Sequence, residues 1–288
     1  MTITINKAGF MTTIQDGGRI GFGHLGIPQS GFMDRDSARL ANYMVNNMPD
    51  EALLEVDVAG IIFTIKVSCS VAVVGAQAQV LVNHKAVNSH QCIHLNPGDG
   101  LEIEPLRKGM WTYVAFAGGL VCDSVLNSCS TLTVAKLGGY KGRRLQHNDG
   151  LSLQNPKQVQ GRQKPTYKRP PHNSIHSLAV SRGPEYDWFT ETAQRHIMSR
   201  PLTMTEHISR QGMKVTGPEL HLKTKKDMPS TGLVPGSMQI TPGGDYIITH
   251  RDSQTTGGYP RIVVLHRQAL NQLAQVRPKE TIYFYLAK

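Results

Sequence analysis

Two polar, Gly-punctuated segments carry most of the side chains able to do chemistry. Residues 12–34 (TTIQDGGRIGFGHLGIPQSGFMD) bring six Gly together with Gln15, Asp16, Arg19, His24, Ser30, Gly31 and Asp34. Glycine lets a backbone approach a ligand closely. Arg19 offers a planar fork for a carboxylate or phosphate, and His24 can move a proton near neutral pH. The same composition also suits a purely structural loop in which Arg19 pairs with Asp16. Long structured polar loops are more often functional.

Residues 249–260 (THRDSQTTGGYP) run from a strand into Gln254, Thr255, Thr256, Gly257, Gly258 and Tyr259. Successive backbone N–H groups in such a turn form a nest for an anion. Asp252 is placed to hold a metal or to orient Arg251, and the two threonines suit a carbonyl or phosphate oxygen. A hairpin with a polar tip has the same composition. A weaker signal lies in residues 230–244, where Gln239 falls on a strand between Gly-Pro turns. Residues 136–144 (KLGGYKGRR) lack the phosphate-loop pattern. His84, His90 and His94 are not spaced as zinc ligands. No GxSxG elbow and no HExxH pair is present.

The elements that position these groups are mostly strands. Val, Ile and aromatic residues cluster at 61–67, 71–74, 78–82, 101–105 and 111–117, separated by Asn83-His84, Asn96-Pro97-Gly98-Asp99, Lys108-Gly109 and Gly118-Gly119. Residues 1–6 alternate like an edge strand. Residues 30–47 read as a helix with Ser37, Leu40, Ala41, Met44 and Val45 on one face, capped by Asp34 or Ser30. Residues 154–173 are polar and basic without a period, and read as a linker. A second set follows: strands at 178–181, 213–215, 238–241, 246–249, 262–265 and 281–286, with helices at 187–198 and 267–275. Close strand spacing predicts a mainly β chain built as antiparallel barrels or sandwiches. The halves are 1–155 and 174–288, joined by 156–173.

Composition narrows the function. Of 288 residues, 18% are charged and 39% hydrophobic, which suits a globular protein. The net charge of +10 is partly local: Lys157, Arg162, Lys164, Lys168 and Arg169 share a stretch with no acidic residue. Aromatic interleaving is missing there, which argues against single-strand nucleic acid. No apolar run approaches the roughly 20 residues of a membrane span, and the first ten residues do not read as a secretory signal. Cys69, Cys92, Cys122 and Cys129 form no CxxC pair. They read as reduced, mostly buried thiols of a cytosolic protein.

Taken in order, the motifs resemble a known family. Residues 12–16 (TTIQD) with Gly18-Arg19, Ser30-Gly31 with Met33-Asp34, Leu40-Ala41-Asn42, Asn47 and Leu54-Glu55 come first. Ala117-Gly118-Gly119, residues 128–131, Gly183-Pro184, Asp187-Trp188-Phe189, Val234-Pro235-Gly236, Gln239, residues 254–260 (QTTGGYP), Leu273-Ala274-Gln275 and Arg277-Pro278 follow. This order resembles the KipA, or allophanate hydrolase subunit 2, family, and covers nearly the whole chain. QTTGGYP is its most specific run.

The resemblance implies two cyclophilin-like β-barrel subdomains with a few short helices. It implies a cytoplasmic protein with two partner subunits, one KipI-like and one LamB/YcsF-like, and neither membrane nor nucleic acid. The implied activity is ATP-dependent opening of 5-oxoproline to glutamate, with ATP and Mg²⁺ as cofactors and no biotin on this chain. Related roles are half of a biotin-dependent carboxyltransferase and a regulatory partner of a kinase inhibitor. The catalytic expectation falls on Asp16, Arg19, His24, Asp34, Arg210 and Asp252. The substrate or nucleotide expectation falls on Gln15, Ser30, Gly31, Gln239, Gln254, Thr255, Thr256, Gly257, Gly258 and Tyr259, with no resident metal site. Ser209 and Thr231 stand where the family usually has acidic residues. Asn46 replaces a helix-end Gly, and Pro278-Lys279-Glu280 replaces a PGD turn.

Overall fold

The computed structural model describes residues 1–162, 173–224 and 227–287. The chain divides into two compact units, one of residues 1–19 and 30–171, the other of 20–29 and 172–288.

The first unit is β-rich. Its strands are β1 (Ile3–Lys7), β2 (Thr13–Gln15), β3 (Leu53–Val56), β4 (Ile61–Ile65), β5 (Cys69–Gln77), β6 (Val80–Val82), β7 (Lys85–Val87), β8 (Cys92–Leu95), β9 (Gly100–Ile103), β10 (Lys108–Phe116) and β11 (Gly150–Leu151). They form a six-stranded sheet, β11-β1-β4-β9-β6-β7, and a five-stranded sheet, β2-β3-β10-β5-β8. Phe63 and Phe116 link the two sheets with ring centroids 5.5 Å apart. Burying each such ring or β-branched side chain contributes about 1.5–3 kcal/mol. The predicted edge strand at the N-terminus is an interior one: β1 lies between β11 and β4. Its alternation reflects one buried face, with Ile3 and Ile5 fully inside, which both edge and interior antiparallel strands show. Asn83 and His84 both adopt positive φ (50° and 64°), the geometry of a tight hairpin joining β6 to β7.

Helix α1 (Arg35–Met44) starts later and ends earlier than the pattern predicts. Asp34 is its N-cap and accepts from the Ser37 backbone N–H at 3.2 Å. Ser30 is excluded as the cap by its left-handed backbone, φ 56°. Ser37, Ala38, Ala41 and Met44 are buried. Leu40 is only half-buried, so the face is turned toward Ala38.

The cysteine expectation needs correction. Cys122 and Cys129 form a disulfide with Cα atoms 5.8 Å apart, while Cys69 and Cys92 are free. The cause is a hairpin invisible to spacing rules. Val125 and Ser128 pair across Leu126 and Asn127, both at positive φ, which folds Cys122 back toward Cys129. The expected linker is also partly a strap. The Lys157 carbonyl accepts from Ser70 N–H at 3.0 Å, Arg162 N–H donates to the Met44 carbonyl at 3.2 Å, and the Arg162 guanidinium lies 4.8 Å from the Tyr43 ring centroid. The rest of that stretch, 163–172 with Lys164, Lys168 and Arg169, lies outside the described residues.

The second unit contains β12 (Ile175–Arg182), β13 (Leu202–Ile208), β14 (Gly212–Thr216), β15 (Thr231–Gly232), β16 (Ser237–Ile240), β17 (Tyr246–Thr249), β18 (Thr256–Gly257), β19 (Arg261–Leu265) and β20 (Thr281–Leu286). Seven of them close a barrel in the order β12-β19-β16-β17-β14-β13-β20, and β15 and β18 form a separate two-stranded flap. Closure is made by a parallel pairing of β12 with β20 along six residues. The helix predicted at 187–198 is split: a 3-10 turn, Tyr186–Trp188, precedes α2 (Glu191–Ser199). The Thr190 hydroxyl caps α2 by accepting from Ala193 N–H at 3.2 Å. Helix α3 (Arg267–Leu273) follows β19. Among the described residues no helix is long and apolar enough to cross a membrane.

Candidate functional site

In the first unit the sequence-predicted residues converge on Asp16, just past β2. Its carboxylate accepts from Gly18 N–H (2.8 Å), Cys129 N–H (2.6 Å), Ser128 Oγ (2.7 Å) and Ser130 Oγ (2.6 Å). Hydrogen bonds to a charged group contribute about 1.5–3 kcal/mol each, so this cage holds the start of the polar loop against residues 128–130. Arg19 is 1% exposed. Its guanidinium donates to Ser30 Oγ at 3.0 Å and to the Ser130 carbonyl. Gln15 Nε2 donates to Thr13 Oγ1 at 3.0 Å and to the Thr131 carbonyl at 3.1 Å. The Asp34 carboxylate also accepts from Ser37 Oγ at 2.7 Å, and its own N–H donates to the Tyr113 hydroxyl at 2.7 Å. Burial, with Glu55 and Asp34 nearby, pushes the Tyr113 phenol well up, which keeps it protonated. Asp16 and Arg19 meet through Ser130, and Arg19 also holds Ser30, so their hydrogen bonds order the loop; Gln15 and Asp34 are fixed by partners of their own.

Gly138 marks how tightly this network is closed. It has φ 65°, and a Cβ there would sit 2.4 Å from the Ser130 carbonyl oxygen and 3.1 Å from the Arg19 guanidinium. Gly138→Ala is expected to cost about 1–3 kcal/mol from strained φ and the displaced carbonyl. A lowered urea midpoint with an unchanged slope checks this; an unchanged midpoint contradicts it.

Beside the cage lies an open hollow of about 510 Å³ whose lining includes Asp16, Arg39, Asp50, Glu51, Cys122 and Cys129. Arg39 bridges Asp50 at 2.9 Å.

The second unit holds the other predicted residues in two groups. Arg210 and Asp252 form a fork-to-fork pair, Nε to Oδ2 at 2.8 Å and a second contact at 3.0 Å, with side chains only 3% and 5% exposed. His250, two residues before Asp252, is fully buried. Its Nδ1 accepts from Arg251 N–H at 3.0 Å and its Nε2 donates to the Leu270 carbonyl at 3.1 Å. That pairing assigns the neutral Nε2–H tautomer. Burial, then the Arg251 and Arg210 charges, hold its pKa well below the ordinary value. In the unfolded chain the same imidazole protonates near pH 6.5. Acid therefore charges the unfolded state first, and stability falls as pH drops below about 6.5, by about 1.4 kcal/mol per pH unit. A His250→Gln variant should lose that slope between pH 6.5 and 5.5 in urea titrations. An identical slope in both proteins contradicts the assignment.

The second group surrounds Gln239. Thr231 pairs with Gly257 and Gly232 with Thr256, so Thr256-Gly257 of the QTTGG run supplies one strand of the two-stranded flap. Beneath it, Gln239 is 2% exposed, and its Nε2 has no hydrogen-bond partner among the described residues. A Cβ on Gly257 would lie 2.6 Å from that nitrogen. The buried hydroxyl oxygen of Thr231 is also without a partner among the described residues. Next to Gln239 across the sheet, Arg261 binds Glu185 through Nε (2.8 Å) and a second nitrogen (2.7 Å), and donates to the Gly232 carbonyl at 2.6 Å. Burial alone would raise the Glu185 carboxyl, but the Arg261 hydrogen bonds outweigh it and hold it below the usual range. The flap's foot is thus fixed by an ion pair, and a free amide donor faces its glycine.

Gln254, Thr256 and Tyr259 are exposed, and Thr255, Gly257 and Gly258 half-buried. His24 is exposed in the segment that groups with the second unit, its Nδ1 3.0 Å from the Gly21 carbonyl. Gly21, Gly23 and Gly26 have the GxGxxG spacing of dinucleotide-binding turns. Only a 3-10 turn, Gly23–Leu25, follows there and no helix opens from it, so that fingerprint lacks its context. Sequence reasoning did not assign Ser128, Ser130, Glu185, His250 or Arg261 to a site. Ser128 and Ser130 sit within a family motif, but nothing local ties them to Asp16, 112 and 114 residues away. Ser209, at an expected acidic position, instead closes the β13–β14 turn by accepting from Gln211 and Gly212 N–H groups.

Among the described residues no three His, Cys, Asp or Glu are grouped to hold a metal ion. Asp16 and Asp252 already accept from protein donors, so these two carboxylates do not fit a Mg²⁺ site.

Residues 25–286 match the family model described as carboxyltransferase domain, subdomain A and B. The chain is 32% identical to the C subunit of 5-oxoprolinase from Escherichia coli over 98% of its own length and 90% of that protein's. It is 33% identical to the Haemophilus influenzae counterpart over 94% and 87%. It is 29% identical to urea amidolyase of Lachancea kluyveri over 97% of this chain, which spans only 16% of that larger protein. The fold is similar to that of K. lactis urea amidolyase, with a TM-score of 0.92 at 24% identity, covering this whole chain and 19% of the other.

Proposed function

Since this chain belongs to the family of carboxyltransferase domains with subdomains A and B, we propose that it serves as the C-type component of an ATP-dependent 5-oxoprolinase. The complex would hydrolyse 5-oxoproline to glutamate in the cytoplasm. Its partners would be a KipI-like protein and a LamB/YcsF-like protein. The similarity to two 5-oxoprolinase C subunits over most of their lengths supports this assignment.

The observation that carries the reading is the Gln239 amide, buried and with no partner among the described residues, beneath Gly257. A lactam is a poor electrophile, and opening it puts charge on its oxygen. Donors fixed where that charge develops lower the barrier. Gln239 Nε2 is such a donor, and the Gly257-Gly258 backbone is the type of turn that adds N–H groups. Access requires the flap of β15 and β18 to lift; two residue pairs make it a thin cover. The Asp16 cage and the Arg210–Asp252 pair act as positioning groups that order the loops carrying Arg19, Ser30 and Gly31 in one unit and Gln254 and Thr255 in the other.

ATP enters at the level of the complex, where it supplies the driving force for ring opening. Because Asp16 and Asp252 are engaged by this chain's own donors, the Mg²⁺ that accompanies the nucleotide would be held by a partner protein.

The second reading is half of a biotin-dependent carboxyltransferase, favoured by the 29% identity to a urea amidolyase. Co-expression with a KipI-like partner tests the assembly. A stable complex active on 5-oxoproline supports the first reading. Activity only on urea, with a biotin carrier, supports the second. A stable complex inert toward both points to the regulatory KipA-like role.

A further inference from the structure

We propose that Cys122 and Cys129 form a reversible dithiol–disulfide site that sets the order of the Asp16 cage. Both sulfurs belong to half-exposed residues on the rim of the open hollow, in contrast to the buried Cys69. A small dithiol can therefore reach them from solvent. In the cytoplasm proposed above, disulfides are uncommon, and those that occur are mostly transient or redox-sensing.

The coupling to the cage is direct. Cys129 N–H donates to Asp16, and the residues on either side, Ser128 and Ser130, each donate a hydroxyl to the same carboxylate. Ser130 also gives its carbonyl to Arg19. Apart from Gly18 N–H, the donors of the cage thus come from one of the disulfide's own residues and its two neighbours. The hairpin between the cysteines turns through Leu126 and Asn127 at φ 53° and 58°. A left-handed Leu is unfavourable and persists only where its surroundings enforce it. Across that turn the described backbone bonds are the two between Val125 and Ser128, while Asp123 is held separately by two bonds to Gly139; the disulfide is the covalent tie that joins this arm to the residues bound to Asp16. Opening it lets the turn relax and frees residues 128–130 to move away from Asp16.

The chemistry is thiol–disulfide exchange. A thiolate of the reagent attacks one sulfur, the S–S bond breaks, and the other cysteine leaves as a thiolate that takes a proton. The reagent's second thiol then displaces the first cysteine. Two electrons and two protons pass from the dithiol to the protein, and the reagent ends as its cyclic disulfide. The reverse exchange with a disulfide of the same class restores the bond. Any effect on turnover rests on the function proposed above; the order of the loop does not, and the test reads the loop.

The full chain is equilibrated without oxygen in defined mixtures of reduced and oxidised dithiothreitol. Cysteines are alkylated for mass analysis, and amide hydrogen exchange is followed at Gly18 and Cys129. Cys122 and Cys129 should change together and reversibly as a two-electron pair. Exchange at both amides should be about tenfold faster in the reduced protein. The double variant Cys122→Ser/Cys129→Ser should match the reduced form and ignore the redox mixture. Should that variant fail to fold, the wild-type comparison still decides. Free thiols at both positions after oxidation, or equal exchange in the two states, would overturn the proposal.

Discussion

Gln239→Leu in the reconstituted complex is expected to lower kcat/KM for the lactam by about 10²–10³-fold, the usual loss when one oxyanion-type donor is removed. The isolated chain should at the same time keep its stability or gain some. These two results together separate a functional amide from a structural one. A buried polar group without a partner costs about 1–3 kcal/mol of stability. Gln239 is 2% exposed, and its Nε2 has no partner among the described residues. Leucine has similar bulk and no donor, so the cost disappears along with the proposed contact to substrate. If Gln239 only packs the barrel, the variant should instead be destabilised and active in proportion to its folded fraction. Gly257→Ala supplies a second handle. Its methyl would lie 2.6 Å from Nε2, so it should displace the amide and lower activity with the donor still present.

The largest expected stability effect is at the Arg210–Asp252 pair. Asp252→Ala leaves a guanidinium that is 3% exposed without the carboxylate that forks onto it. Removing one partner of a buried pair costs about 3–5 kcal/mol, because the remaining charge stays desolvated. Urea unfolding should show this as a large drop in midpoint. The double variant Arg210→Met/Asp252→Leu should recover most of it, since apolar replacements of similar volume remove both charges at once. A double variant as unstable as Asp252→Ala contradicts this and would assign Asp252 a separate structural role. Loss of turnover in Asp252→Ala alone is therefore no evidence of a catalytic carboxylate.

Much of the fold was legible because its signals are local. Val and Ile runs bounded by Asn83-His84 or Gly118-Gly119 announce strands, and β17 and β20 fall on the predicted residues. Asp34 was readable as a cap because a cap acts on its own helix. Pairing over long distances was not readable. The parallel β12–β20 closure joins strands far apart in the chain, and the interior place of β1 depends on the distant β11. The site shows the same division. The QTTGG turn and the loop bearing Arg19 stand out by composition. The groups that hold them do not: Ser128 and Ser130 reach Asp16, and Glu185 reaches Arg261, across 76 or more residues. The disulfide was missed because Leu126 gives no sign that it will adopt a turn conformation usually left to Asn or Gly.

The acidic positions replaced by Ser209 and Thr231 also acquire a physical meaning. Ser209 closes a hairpin with its hydroxyl, a task an aspartate performs equally well. Thr231 places a hydroxyl with no partner among the described residues on the flap strand that pairs with Gly257.

A chain that completes an ATP-dependent lactam hydrolase must make nucleotide turnover depend on the lactam. The direct measurement mixes purified chain with the proposed KipI-like and LamB/YcsF-like partners and follows ADP released on addition of 5-oxoproline. The expected result is release that requires both 5-oxoproline and this chain, with glutamate formed in step. No 5-oxoproline-dependent release in any combination of the three proteins would contradict it.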